Sequence, residues 1–150
     1  MSAFSTRLDL GSAQRALDKL VQKTMRLRPA FLEIRELLIE STERRFKDER
    51  GPDGQPWSAL SAMTLKSRKK KASRFPTGIL KQSGQMAENI NGEATETSLI
   101  IGSPEVQSAI QQFGGTAGFG GVIPARPFLG LSDDDIRGIT GILEDHLSPD

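Results

Sequence analysis

The stretch Pro29–Glu49, PAFLEIRELLIESTERRFKDE, decides how the rest of the chain is read. Phe31, Ile34, Leu38, Thr42 and Phe46 recur at i, i+3, i+7, i+11 and i+15, with Leu37 widening the stripe. That is the period of one helix face. The other face carries Arg35, Glu36, Glu40, Glu43 and Arg44, where Glu36 and Glu40 repel at i, i+4 and Glu40 and Arg44 attract. Pro29 suits the first turn, whose N–H groups have no intrahelical partner. The reading is an amphipathic helix laid on a core. A coiled-coil seam would need the repeat to persist longer.

Upstream, Phe4, Thr6, Leu8 and Leu10 alternate with polar or small residues, a short strand pattern. Ser12 can cap a helix over Ala13–Arg26 with a stripe of Ala16, Leu17, Leu20, Val21 and Thr24. Arg28-Pro29 interrupts it, because proline disfavours helix at the residue before it. Downstream, Gly51-Pro-Asp-Gly54 is turn chemistry. Trp57, the sole tryptophan, reads either as a core plug under that turn or as an exposed interface anchor. Ser58 or Ser61 caps a short helix running to about Lys71, and Ile79–Asn89 reads as another helix.

Ile90–Thr95 and Ser98–Ser103 form an antiparallel pair turning near Glu96-Thr97. A helix from Ser103-Pro104-Glu105 to Phe113 places Val106, Ile110 and Phe113 toward the core, and Gly114-Gly115 stops it. Phe128–Leu131 reads as a strand. Ser132-Asp133-Asp134-Asp135 then opens a helix whose stripe is Ile136, Ile139, Leu143 and Leu147. Adjacent helical residues point in different directions, so the three aspartates read as capping rather than as a metal cluster. The fold class is α+β. A small, mainly antiparallel sheet of the N-terminal strand, the Ile90–Ser103 pair and Phe128–Leu131 is covered on one side by the long amphipathic helix and the C-terminal helix. At 150 residues, one domain spanning 1–150 is the default.

Composition removes several classes of function. There is no cysteine and one histidine, His146, so thiolate metal sites, disulfides, His-based triads and multi-His metal sites are off the table. Neither a GxSxG nor an HExxH motif occurs. His146 reads as a surface residue. The first residues lack an apolar signal core, and no run approaches the length of a membrane span, which points to an intracellular protein without membrane contact. No catalytic residue, metal or cofactor is expected, and the chain reads as a non-enzyme. Net charge is +1, yet residues 1–75 hold 17 basic against 9 acidic residues and residues 76–150 hold 3 against 10. Such asymmetry points to electrostatic pairing with nucleic acid or with another copy of the chain.

Two stretches carry the candidate contacts. Lys66, Arg68, Lys69, Lys70, Lys71 and Arg74 place six positive charges in nine residues. They fit either a solvated helix end, where cations are favourable, or a strip contacting DNA phosphates. No aromatic residue interleaves the run, so stacking on single strands is not supported. The second stretch is QQFGGTAGFGGVIPARPFLGLS, Gln111–Ser132. Five glycines lie within Gly114–Gly121, and two prolines, Pro124 and Pro127, stiffen the segment after them. Val122-Ile123-Pro124 comes directly after the glycines, whereas a phosphate-cradling loop would run into Lys-Ser/Thr and a helix. It reads as a docking loop. Its interface candidates are Phe113, Gly114, Gly115, Phe119, Pro124, Arg126, Pro127 and Phe128, with Trp57 beside them. Arg126 is the one charge between Glu105 and Asp133. Its partner is either an acid of a neighbouring subunit or, within the chain, the helix start at Asp133, Asp134 and Asp135.

The word order FGG, glycine-rich gap, PARPFLGLS and acidic helix start resembles the C-terminal signature of the phage virion morphogenesis family, which includes tail-completion proteins and Mu-like virion morphogenesis proteins. Arg45-Phe46 with Pro52–Ser61, and Ile79–Ile90 ahead of Leu99-Ile-Ile-Gly102, match in the same order. One position departs: the family usually has histidine before QFGG, and this chain has Gln111. The resemblance implies a structural subunit of the head–tail connector, or neck, completing or terminating the tail as a homo-oligomeric ring of hexameric or related symmetry. Implied partners are other copies, other neck and tail-tube proteins, and DNA passing through the channel. The implied location is the virion neck, reached by assembly in the host cytoplasm. A nucleic-acid-binding module and an assembly factor absent from the finished virion are the alternatives.

Overall fold

The computed structural model describes residues 11–73, 77–81, 83–118 and 120–148. The strand expected over Phe4–Leu10 lies outside them, as do Arg74 and Phe119. Six helices occur among the described residues: α1 Gly11–Thr24, α2 Arg28–Asp48, α3 Ala62–Lys70, α4 Gln85–Glu88, α5 Ser108–Phe113 and α6 Asp133–Leu147. Four short strands accompany them: β1 Asn91–Ala94, β2 Leu99–Gly102, β3 Gly115–Thr116 and β4 Val122–Ile123. The fold is α+β.

The molecule is organised around α2, as its periodicity demands. Ile34, Thr42 and Phe46 of the stripe are buried, and α2 packs on α6, β1, β2 and α4. Thr42 Oγ1 donates back to Leu38 O at 2.7 Å, which satisfies a hydroxyl that would otherwise be stranded in the core. The helix ends at Glu49 in the left-handed region (φ 56°). Around its last turn the ring of Phe46 meets two others. Trp57 stands edge-on to it with centroids 5.5 Å apart, and Phe128 lies tilted against it at 5.3 Å. Leu80, Met86 and Ile90 complete this cluster.

A second tie is polar. Arg45 projects from α2 to donate to Phe128 O (2.9 Å) and Ser41 Oγ (3.1 Å), and it pairs with Asp135 of α6. Asp135 is simultaneously half of a capping box: its N–H donates to Ser132 Oγ at 3.1 Å, and Ser132 N–H donates to its carboxylate at 2.9 Å. Burial pushes the Asp135 carboxyl upward, but hydrogen bonds from Ser41 and Ser132 and the adjacent Arg45 outweigh it, leaving its pKa below the ordinary value. Desolvation lowers that of Arg45.

Four sequence expectations are corrected. First, the strands do not form one sheet. β1 pairs β2 antiparallel from Asn91↔Gly102 to Ala94↔Leu99, and β3 pairs β4 separately. Second, Phe128–Leu131 joins no strand, because the side-chain amide of Gln112 takes up the backbone groups of Phe128 and Leu129. Third, the helix expected over Ile79–Asn89 shrinks to α4. Leu80 (φ 57°) and Gly84 (φ 85°) are left-handed, and Ile79 N–H donates to Glu49 Oε1 at 2.9 Å instead of starting a helix. Fourth, α5 starts only at Ser108, and Val106 (96% exposed) and Phe113 (79%) face solvent rather than the core.

Candidate docking surface around the glycine hairpin

Gly114 ends α5 and turns the chain at φ 72°; a Cβ there would sit 2.8 Å from Ala125 N and 2.9 Å from Ile123 O. Only glycine fits both the angle and the space. β3 and β4 then form a two-rung ladder, Gly115↔Ile123 and Thr116↔Val122, closed by Ala117 N–H to Gly121 O at 2.7 Å. Phe113 and Val122 are 79% and 82% exposed at the base and return strand of this hairpin. Two large apolar side chains beside glycines and Pro124 make an outward, mostly uncharged surface.

The segment behind it is held by side chains from elsewhere. Gln112 clamps it: its Oε1 accepts from Phe128 N–H and Leu129 N–H at 3.0 Å each, and its Nε2 donates to Leu129 O at 2.9 Å. Trp57 Nε1 donates to Pro127 O at 2.7 Å. Arg126 lies 6% exposed, donating from Nε to Ser58 O (2.8 Å) and from Nη2 to Ala59 O (3.0 Å). The acid expected for Arg126 within the chain does not supply these bonds. The internal pairing with Asp133–Asp135 does not form, Asp135 being committed to Arg45, and the head of Arg126 is spent on carbonyls of the loop before α3. Burial, and then the nearby Arg68, lower its pKa.

The candidate interface residues therefore split. Phe113, Gly115, Pro124 and Pro127 are exposed, Gly114 is half-buried, and Trp57, Arg126 and Phe128 are inward pins. The core-plug reading of Trp57 is the one realised. Gln112 and Arg45 stood out only as parts of the QFGG and Arg45-Phe46 words; their clamping roles had no local signal, since a helical glutamine or arginine looks the same whether it clamps a distant backbone or meets water.

The basic run also divides. Lys66, Lys69, Lys70 and Lys71 are exposed on and just beyond α3, but Arg68 is 8% exposed and donates to Gly78 O at 2.5 Å. The structure thus removes Arg68 from the DNA-facing strip, because even a short, densely charged helix has an inner face. Between α3 and β4 lies a cleft of about 380 Å³ lined by Leu60, Thr64, Arg68, Met86, Gln111 and Arg126. Among the described residues Gln111 Oε1, buried there, has no hydrogen-bond partner. Among the described residues no group of three His, Cys, Asp or Glu side chains is arranged to hold a metal, and no helix is long and apolar enough to cross a membrane.

Proteins of known origin share this sequence pattern over most of its length. The chain is 34% identical over 132 residues to the putative capsid assembly protein G of Escherichia phage Mu, covering 85% of this chain and 83% of that one. It is 29% identical over 144 residues to the Mu-like prophage FluMu G protein 1 of Haemophilus influenzae, covering 95% and 93%. For FluMu G protein 2 of the same organism the figures are 30% over 145 residues, 93% and 94%. No solved structure matches. Residues 8–148 match the phage virion morphogenesis family, and on that extent the chain belongs to the phage virion morphogenesis family, with a structural or assembly role in phage particles.

Proposed function

We propose that this protein is a structural, non-enzymatic subunit of the phage neck that completes or terminates the tail as a homo-oligomeric ring. The observation that carries the reading is the glycine hairpin. It holds Phe113 and Val122 out in solvent on a base fixed by Gln112, Trp57 and Arg126. A rigid mount under an exposed apolar tip suits docking, because little order has to be gained on association. Its partners are other copies, in hexameric or related symmetry, and neighbouring neck and tail-tube proteins; its place is the virion neck after assembly in the host cytoplasm. The test is the mass of the purified protein in solution, alone and mixed with the tail-tube protein of the same phage. Phe113→Asp is expected to leave melting unchanged and abolish the added mass; assembly by the variant as by the wild type would remove the hairpin from the interface.

Two further readings each have one supporting observation. The exposed Lys66, Lys69, Lys70 and Lys71 suit a channel wall facing DNA phosphates. Replacing Lys69, Lys70 and Lys71 by Gln is then expected to lower DNA retention in a salt-dependent way with folding intact. The Mu relative's description as a capsid assembly protein suits a factor that acts before the virion is finished. Mass spectrometry of purified particles separates it from a neck subunit: the subunit is present in them, the factor is not.

A further inference from the structure

The cleft between α3 and β4 brings two buried guanidinium groups together with no carboxylate on its walls. Ser61, Thr64 and Arg68 fall at i, i+3 and i+7, so one face of α3 forms a wall that begins at the positive, N-terminal end of the helix. Arg126 lines the cleft as well, and it is buried like Arg68. Burial first, and the charge of Arg68 second, hold the pKa of Arg126 below its ordinary value, so two positive charges share the site. No Asp or Glu lines the cleft, and among the described residues no acid forms an ion pair with Arg126. The carbonyls of Ser58 and Ala59 take up Nε and Nη2, which leaves Nη1 with no hydrogen-bond partner among the described residues. Carbonyls satisfy N–H groups but do not neutralise a charge, and buried charges are as a rule paired.

The remaining lining says which anion fits. Leu60, Met86, Val122 and Pro124 make much of the wall apolar, and about 380 Å³ lies within the range of ligand pockets. A duplex keeps its phosphates in water, which suits the exposed Lys66, Lys69 and Lys70 on the outer side of α3 rather than two buried guanidinium groups. A carboxylate carried on a protein segment can enter, with apolar neighbours lying on the walls. We propose that the cleft binds an acidic side chain flanked by apolar residues on a partner protein, its carboxylate meeting Nη1 of Arg126 beside Arg68. Val122 belongs both to the cleft and to the exposed hairpin, so one partner touches both. The site holds whether or not the protein closes into rings.

The test is titration of the full-length protein with acetyl-Leu-Glu-Leu-amide, read from the arginine Nε–H signals of its NMR spectrum. The Arg126 signal is expected to shift saturably. Acetyl-Leu-Gln-Leu-amide, of the same shape without the charge, is expected to bind at least tenfold more weakly. Changing Arg126 itself also unpins the loop before α3, so the blocking variant is Ser83→Glu. Ser83 is exposed and lines the cleft, and a glutamate there puts the chain's own carboxylate on the wall. It is expected to keep the wild-type melting temperature and to weaken the Glu peptide at least tenfold, whereas Ser83→Gln binds as the wild type does. Equal binding of the two peptides, an unmoved Arg126 signal, or wild-type binding by Ser83→Glu each overturn the site. Inorganic phosphate that shifts the same signal at lower concentration than the peptide overturns it in favour of a phosphate site. All of these outcomes leave the ring reading standing, since solution mass decides that separately.

Discussion

Helices α1 and α2 stand next to each other in sequence and carry the same kind of apolar stripe, but they meet different fates. α2 buries Ala30, Ile34, Ser41, Thr42, Arg45 and Phe46, whereas α1 buries nothing. Periodicity alone reports that a face wants covering, not whether the cover belongs to the same chain. The difference teaches that α2 is fixed by burial on several elements, whereas α1 is held to its own chain by its contact with the end of α6.

The sharpest way to break that contrast is at the core end. Phe46→Ala removes the ring shared by Trp57 and Phe128 and is expected to cost about 3–5 kcal/mol in chemical denaturation. A loss below about 1 kcal/mol would mean that α2 is not the anchor. Next comes Asp135→Ala, which leaves Arg45 buried without its carboxylate and removes a cap; about 3 kcal/mol is expected. The same residue sets a pH dependence. Its folded pKa lies below its unfolded one, so its contribution is fully present above about pH 3.9 and is lost as pH falls through the folded value. Acid denaturation of the wild type should steepen below about pH 4, and Asp135→Ala should flatten that limb.

Between the extremes lies the hairpin. Gly114→Ala forces a left-handed alanine against Ala125 N and Ile123 O, at roughly 1–2 kcal/mol from the angle alone. Amide exchange should quicken in residues 114–125 and stay unchanged in α2. The smallest effect belongs to α1. Leu17→Ser should shift monomer stability by no more than about 0.5 kcal/mol, read by thermal melting at low concentration. A larger loss would place Leu17 in the monomer's own core and erase the contrast.

How far the chain was legible follows the same division. Periods of 3.6 placed α2 and α6, although Ile136 of the α6 stripe is exposed; the serine–aspartate start placed the α6 cap, and two short segments around a turn near Glu96-Thr97 placed β1 and β2. Phe128–Leu131 misled because an extended, half-apolar segment looks alike whether a strand or a glutamine amide bonds its backbone. Val106 and Phe113 misled because apolar side chains at helical spacing mark a face for burial without saying in what. Arg126 was singled out correctly as a charge lacking nearby acids, but two carbonyls 67 and 68 residues away were invisible to any local rule. The family relation was readable in the QFGG and PARPFLGLS words, whose glycine and proline positions answer to backbone angles and clamps now in view.

Arg45 reaches across 83 residues to Phe128 and 90 to Asp135. Contacts of such separation close late, after local helices have formed. During synthesis α2 leaves the ribosome long before Phe128 and Asp135 exist, so α4, β1 and β2 can cover it earlier while the part of its face that meets Phe128 and α6 waits until the final fifth of the chain is made. Completion of the core and delivery of the hairpin on its fixed mount thus coincide. A chain cut short before Asp135 lacks that lock between α2 and α6.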